Sequence, residues 1–288
     1  MSDIAFVTDS TANLPDEWVQ RYAVTIVPLY VLFGDRARKD YVELPPAEFY
    51  RELAAVKAAG GALPRTSQPT PLDFEGTYSA LARGGAKDII SIHAAAKMSG
   101  TLNSAQIAGD VLGKQTCVHV VDSTTISMQL SYMLVEAAET IRRGGSVQAA
   151  LDAVAKVKAN SCTFFTVTEV EHIEASGRVE GADKVAEAEI KVRPVIGIFE
   201  GQAKVVSPER TQRAAIEKVI ELTRNRLQGL KLKGVTVVHT NALDRAEVLK
   251  ARVPAELGYE GEVRVADMGP VLAVHVGPGV VGLAAYGE

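Results

Sequence analysis

Hydroxyl side chains at two places carry the most chemistry in this sequence. Ser99-Gly100-Thr101 follows an expected strand over 88–92 and opens an amphipathic helix with apolar Leu102, Ala105, Ala108 and Leu112. A hydroxyl and several free backbone N–H groups then stand at a helix N-terminus and at the carboxyl end of a strand. Exposed amides and the helix dipole suit such a place to an anion. Open α/β sheets also collect their ligands there. The simpler reading makes Ser99 only an N-cap. The second place is the loop Thr66-Ser67-Gln68-Pro69-Thr70-Pro71-Leu72-Asp73. Thr70 is its natural N-cap, with Pro71 at the first helical position and Asp73 closing a capping box. Thr66 and Ser67 are left without a structural task and are free to bind a ligand.

Two further residues stand out singly. His275 lies within an apolar segment, read as a strand over 272–276, before the turn Gly277-Pro278-Gly279. An isolated histidine there is either a satisfied core residue or a ligand contact, and the adjacent glycines permit close approach of a ligand or another backbone. Arg178 follows Gly177, which breaks a helix over 169–174 whose charges read as a solvated face. It either projects at a domain junction or is a surface arginine.

Several familiar motifs fail. Gly277-Pro278-Gly279-Val280-Val281-Gly282 matches GxGxxG, but six residues later the sequence stops, so no helix follows as a dinucleotide site requires. There is no GxxxxGK[ST] and no GxSxG nucleophile elbow. None of the five histidines stands in a spacing that pairs it with cysteine or another histidine as a metal site. No metal and no cofactor are therefore expected.

The elements that must position these residues alternate between strand and helix up to about residue 143. Strands are expected at 4–8, 25–33, 89–92 and 117–121, and helices at 46–59, 73–82, after Ser99, and at 126–143. This is the pattern of a doubly wound, mostly parallel α/β sheet. After Asn160 short strands and a hairpin over 194–206 mix with helices at 211–227 and 243–252, which describes an α+β domain with a mixed sheet. The expected domains are 1–160 and 161–288. With 47% hydrophobic and 23% charged residues and a mean hydropathy of +0.07, the composition suits a large buried interior. A net charge of −4 argues against a nucleic-acid partner. The glycine- and proline-interrupted segment 269–287 makes a poor membrane helix, so no stable membrane insertion is expected. Cys117 and Cys162 read as buried, reduced thiols, and with no signal peptide evident the expected location is cytoplasmic.

Taken together, Val7-Thr8-Asp9-Ser10-Thr11-Ala12-Asn13-Leu14-Pro15, Thr66-Ser67-Gln68-Pro69-Thr70, Lys97-Met98-Ser99-Gly100-Thr101, Val121-Asp122-Ser123, Ser176-Gly177-Arg178 and His275-Val276-Gly277-Pro278-Gly279 resemble the DegV family of bacterial fatty-acid-binding proteins, close to end to end. One departure is Ala94-Ala95, where members often carry serines. The resemblance implies two α/β domains clasping one long-chain, palmitate-like fatty acid. It implies a carboxylate held by Thr66, Ser67, Ser99, Gly100, Thr101 and His275, and a separate fatty acid kinase that converts the acid to an acyl phosphate for lipid synthesis. Arg178 and Arg210 are then expected where the kinase or phosphate meets the carboxylate, and the chain itself is expected to be no enzyme. Two alternatives remain open. One is a stand-alone esterase or thioesterase with Ser99 or Ser67 as nucleophile and His275 as base. The other is a sugar-phosphate binder.

Overall fold

The β/α alternation of the first half builds a four-stranded, all-parallel sheet. In the computed structural model, which describes residues 3–113, 116–187 and 192–288, its strands lie in the order Val24–Val27, Ile4–Asp9, Asp88–His93, Cys117–Asp122. Both faces are covered, as parallel sheets require. Val7 and Ile89 pack beneath helices Pro71–Arg83 and Thr101–Leu112 through Phe74, Tyr78, Ala105 and Ala108. Phe6, Ile90 and Ile92 meet helices Ser127–Arg142 and Val147–Ala159 on the other face. The strand order reverses between Ile4–Asp9 and Asp88–His93, so their carboxyl ends diverge and leave a crevice.

A seven-stranded mixed sheet forms most of the second half. Its order is Val263–Asp267, Leu232–His239, Val281–Gly287, Ser161–Thr166, Arg193–Phe199, Gln202–Glu209, Val179–Glu180. The hairpin expected in this region is present, with Arg193–Phe199 and Gln202–Glu209 antiparallel. The position drawn as a boundary, 160, falls between the helix Val147–Ala159 and the strand Ser161–Thr166. Helix Ser127–Arg142 joins the two sheets: Gln129 donates to the Ser161 hydroxyl at 2.8 Å, and the Tyr132 and Thr236 hydroxyls lie 2.7 Å apart.

Four sequence readings need correction. The β-rich stretch 25–33 is two strands, split at Pro28-Leu29. Val24–Val27 joins the parallel sheet, and Tyr30–Phe33 is the centre of a three-stranded antiparallel sheet with Arg36–Lys39 and Arg65–Ser67. Pro28 has no amide to continue the first ladder. The segment around His275 is a helix, Gly269–Val276. Seven of its eight residues are buried, so it shows no amphipathic period and reads like a buried strand. Pro270 starts it, the Asp267 carboxylate accepts from the Gly269 amide at 2.7 Å, and the Asp40 carboxyl accepts from Val271. The charged segment after Thr168 does form a helix, Val170–Ser176, but its face is not wholly solvated: His172 and Ile173 are buried, and the His172 Nδ1–H donates to the Val274 carbonyl at 3.0 Å. Cys162 is buried, with its thiol pushed up to about 12 by burial, whereas Cys117 is exposed.

Candidate functional site

The crevice at the carboxyl ends of the central parallel strands is closed over by the three-stranded sheet and helix Gly269–Val276 to form a cavity of about 370 Å³. Leu29, Ile126, Phe165, Val179, Val271 and Leu272 give it an apolar body. Its polar groups gather from the segments singled out in the sequence: Thr66, Ser99, Gly100, Arg178 and His275 all line it. Thr11, Gln68 and Lys97 line it as well, and the sequence reading assigned them nothing. Gln68 and Lys97 were visible only as neighbours of hydroxyls already chosen.

Strand alternation separates Thr66 from Ser67. Arg65–Ser67 pairs with Tyr30–Phe33, Thr66 opposite Val31, so Thr66 faces inward while Arg65 and Ser67 are exposed. The Ser67 hydroxyl donates to the Gln68 carbonyl at 3.2 Å. Thr66 Oγ1 instead lies 2.8 Å from His275 Nε2. Burial pushes the His275 imidazolium down to about 4, helped by the nearby charge of Arg178 and by His172. The ring is therefore neutral at neutral pH, and its Nδ1 is buried with no partner among the described residues. A neutral imidazole and a hydroxyl hold two protons between them, and the contact between them uses one. With Nε2–H donating to Thr66 Oγ1, the threonine hydroxyl keeps its own proton for a ligand.

Across the cavity, helix Thr101–Leu112 begins with Gly100 as its N-cap and no side-chain cap. Ser99 is thus not the cap. Its Oγ accepts from the Thr101 amide at 3.3 Å and lies 2.8 Å from the Thr101 hydroxyl. Thr101 is fully buried and steadies Ser99 from behind without lining the cavity. A methyl group at Gly100 would sit 2.7 Å from Gln68 Nε2, so glycine lets Gln68 lie across the helix start. Gly177 takes φ +62°, and Arg178, next in the chain, donates to the Ser176 carbonyl, which holds the guanidinium at the cavity rim. Arg210 is elsewhere. Val179 and Ala203 line the cavity, while their neighbours Glu180 and Lys204 line a separate surface depression together with Arg210.

Behind the cavity lies a polar chain joining residues 84 apart in sequence. The Asp9 carboxylate accepts from His93 Nδ1 at 3.0 Å, from the Ala94 amide at 2.9 Å and from the Thr11 amide at 3.0 Å. Ser91 Oγ lies 2.7 Å from His93 Nε2 and 2.7 Å from the Tyr78 hydroxyl. Burial would raise the Asp9 pKa, but the hydrogen bond and charge of His93, with the Thr11 and Ala94 donors, hold it below the ordinary carboxylate value. Serine, histidine and aspartate here have triad connectivity, yet Asp9, Tyr78, Ser91 and His93 are each 0% exposed. No substrate reaches Ser91. The chain instead fixes Thr11 and Ala94, which line the cavity. Among the described residues no hydrogen bond joins Ser99 or Ser67 to His275.

A family model described as "uncharacterised protein, DegV family" matches residues 3–288. A DegV domain-containing protein of Halalkalibacterium halodurans is 32% identical over 288 residues, covering 100% of both chains. Among solved structures, a DegV family protein from Thermus thermophilus described as fatty acid binding superposes with a TM-score of 0.91 at 30% identity, covering 99% of each chain. DegV from Bacillus subtilis, described as a fatty acid binding protein, superposes with a TM-score of 0.86 at 27% identity, again over 99% of each chain.

Proposed function

Because this chain belongs to the DegV family, we propose that its cavity binds one long-chain fatty acid, palmitate-like in length, and presents the carboxylate to a kinase acting in trans. The observation that carries this reading is the Thr66–His275 pair facing the start of helix Thr101–Leu112 at the polar end of an apolar cavity. A buried carboxylate needs several convergent donors. The Thr66 hydroxyl beside His275, the Ser99 hydroxyl and the first amides of that helix supply them, with the cations Lys97 and Arg178 also in the lining. The tail supplies the affinity, at about 0.8 kcal/mol for each CH₂ buried. The fatty-acid-binding descriptions of the Thermus thermophilus and Bacillus subtilis proteins support the same reading.

Arg178, exposed at the rim, would meet a phosphate or a kinase. Ser67, Thr101 and Arg210 belong to the proposal only indirectly: Thr101 steadies Ser99, Ser67 faces outward, and Arg210 would serve a partner surface rather than the carboxylate. The esterase alternative lacks its serine–histidine contact, and the apolar lining disfavours a sugar phosphate. In this reading the chain is a carrier without chemistry of its own. We place it in the cytoplasm, where its two unpaired thiols stay reduced. Among the described residues no helix is long and apolar enough to cross a membrane.

The test is mass spectrometry of lipid extracted from the purified protein, followed by acyl-phosphate formation from the loaded protein, ATP and Mg²⁺ with and without a bacterial fatty acid kinase. One fatty acid per chain and kinase-dependent product are expected, with a slower rate in Arg178→Ala. No extractable fatty acid and no thermal shift with added palmitate would overturn the lipid reading. Turnover without kinase would overturn the carrier reading.

A further inference from the structure

Away from the cavity, the parallel sheet brings a cysteine, a histidine and an aspartate together at its edge. Cys117–Asp122 is the edge strand, and its first residue pairs with Asp88 on the neighbouring strand. Side chains two apart in a strand share a face, so Cys117 and His119 stand side by side next to Asp88. Val118, between them, faces the other way against helix Thr101–Leu112, close enough that a methyl on Gly109 would meet it at 3.3 Å. One ligand atom from each of Asp88, Cys117 and His119 lies within 4.8 Å of the others. His119 Nε2 and Asp88 Oδ1 are already 2.7 Å apart, both side chains half-buried, and Cys117 is exposed. The sequence reading passed over Cys117-Val118-His119 because one intervening residue is shorter than the usual helical or loop metal spacings.

We propose that Asp88, Cys117 and His119 form a binding site for a zinc-class divalent cation. Tetrahedral zinc with one thiolate, one imidazole and one carboxylate ligand sets its donor atoms about 3.3–3.7 Å apart, which small side-chain rotations reach from the present arrangement. The donor set is borderline-soft and selects zinc over magnesium or calcium, which take oxygen ligands. Three protein ligands leave the fourth position to water. The site sits at the amino ends of the strands whose carboxyl ends border the cavity, about 16 Å away along six residues of strand. Metal binding here is therefore separate from lipid binding.

Cobalt(II) titrated into the reduced, full-length protein reads the site directly, because thiolate-bound cobalt has a charge-transfer absorption that aqueous cobalt lacks. One cobalt per chain is expected, displaced by zinc and not by magnesium. Cys117→Ser should abolish the absorption, and Cys162→Ser, at the buried cysteine, should leave it unchanged. His119→Gln should weaken binding by more than about tenfold, since loss of even an outer-shell partner costs that much. Cys117 is exposed, so the serine variant should keep its metal-free melting temperature. Absence of the thiolate band, or a band retained with equal affinity in Cys117→Ser or His119→Gln, would reduce the cluster to a histidine–aspartate pair and overturn the proposal.

Discussion

The Thr66–His275 contact gives the sharpest test of how a carboxylate would be held. The two groups lie 2.8 Å apart, and the ring is neutral because burial, Arg178 and His172 hold its pKa near 4. They form one unit with one free proton, aimed by the contact between them. Either substitution leaves the other partner its proton but removes the contact that orients it, so the aimed hydrogen bond is lost in each. Thr66→Val and His275→Phe remove a hydrogen bond to a charged ligand at nearly constant shape, a loss of about 1.5–3 kcal/mol. That corresponds to roughly 10- to 150-fold in Kd. Because the partners act together, the double variant should lose about as much as the larger single, with a coupling energy of similar size. Fatty-acid affinity by titration calorimetry on delipidated protein is the assay. The fold should persist, since Thr70 rather than Thr66 caps helix Pro71–Arg83. Additive losses, or no loss in either single variant, would refute the paired-donor argument.

Other consequences follow from the same geometry. A carboxylate bound beside His275 favours its charged form, so the ring should titrate near pH 4 without lipid and at a higher pH with lipid, measured by NMR of the imidazole; an unchanged midpoint would place the carboxylate elsewhere. Burial raises the Asp40 carboxyl from 3.8 to about 7, opposed by hydrogen bonds from Ser10 and the Val271 amide. The folded protein then holds a proton that the unfolded chain releases, so stability should fall as pH rises from about 4 to 7, by up to about 4 kcal/mol. Denaturant unfolding across that range should show this slope in the parent and not in Asp40→Asn; identical profiles would remove Asp40 as its source. A methyl at Gly282 would lie 2.3 Å from Phe165 Cβ and 2.4 Å from the Phe164 carbonyl. Gly282→Ala should therefore destabilise by about 1–3 kcal/mol or more in the same assay, and an unchanged midpoint would mean the two strands can separate freely.

How much was legible in the sequence depended on how local the physics was. The parallel half followed from strand–helix alternation, and the Thr70–Asp73 capping box and the Gly177 helix stop are decided within a few residues. Helix Gly269–Val276 was misread because burial on every side erases its period and because one of its amide acceptors, Asp40, lies more than 200 residues away in sequence. The choice between Thr66 and Ser67 turns on a strand of three residues, too short to announce itself. Asp9 and His93 were visible as residue types, but only parallel pairing of their strands brings them into contact. The place of the cavity, by contrast, follows from strand order, which no local pattern encodes. If the first strand has its successor on one side and the third strand on the other, the sheet must part between them at the carboxyl ends. The residues that emerge there are Ser10-Thr11 and Ala94–Gly100, and both stretches contribute to the lining. A helix bearing His275 and a short strand bearing Thr66 had only to close over that gap, which turns an anion-friendly helix start into one end of an apolar chamber.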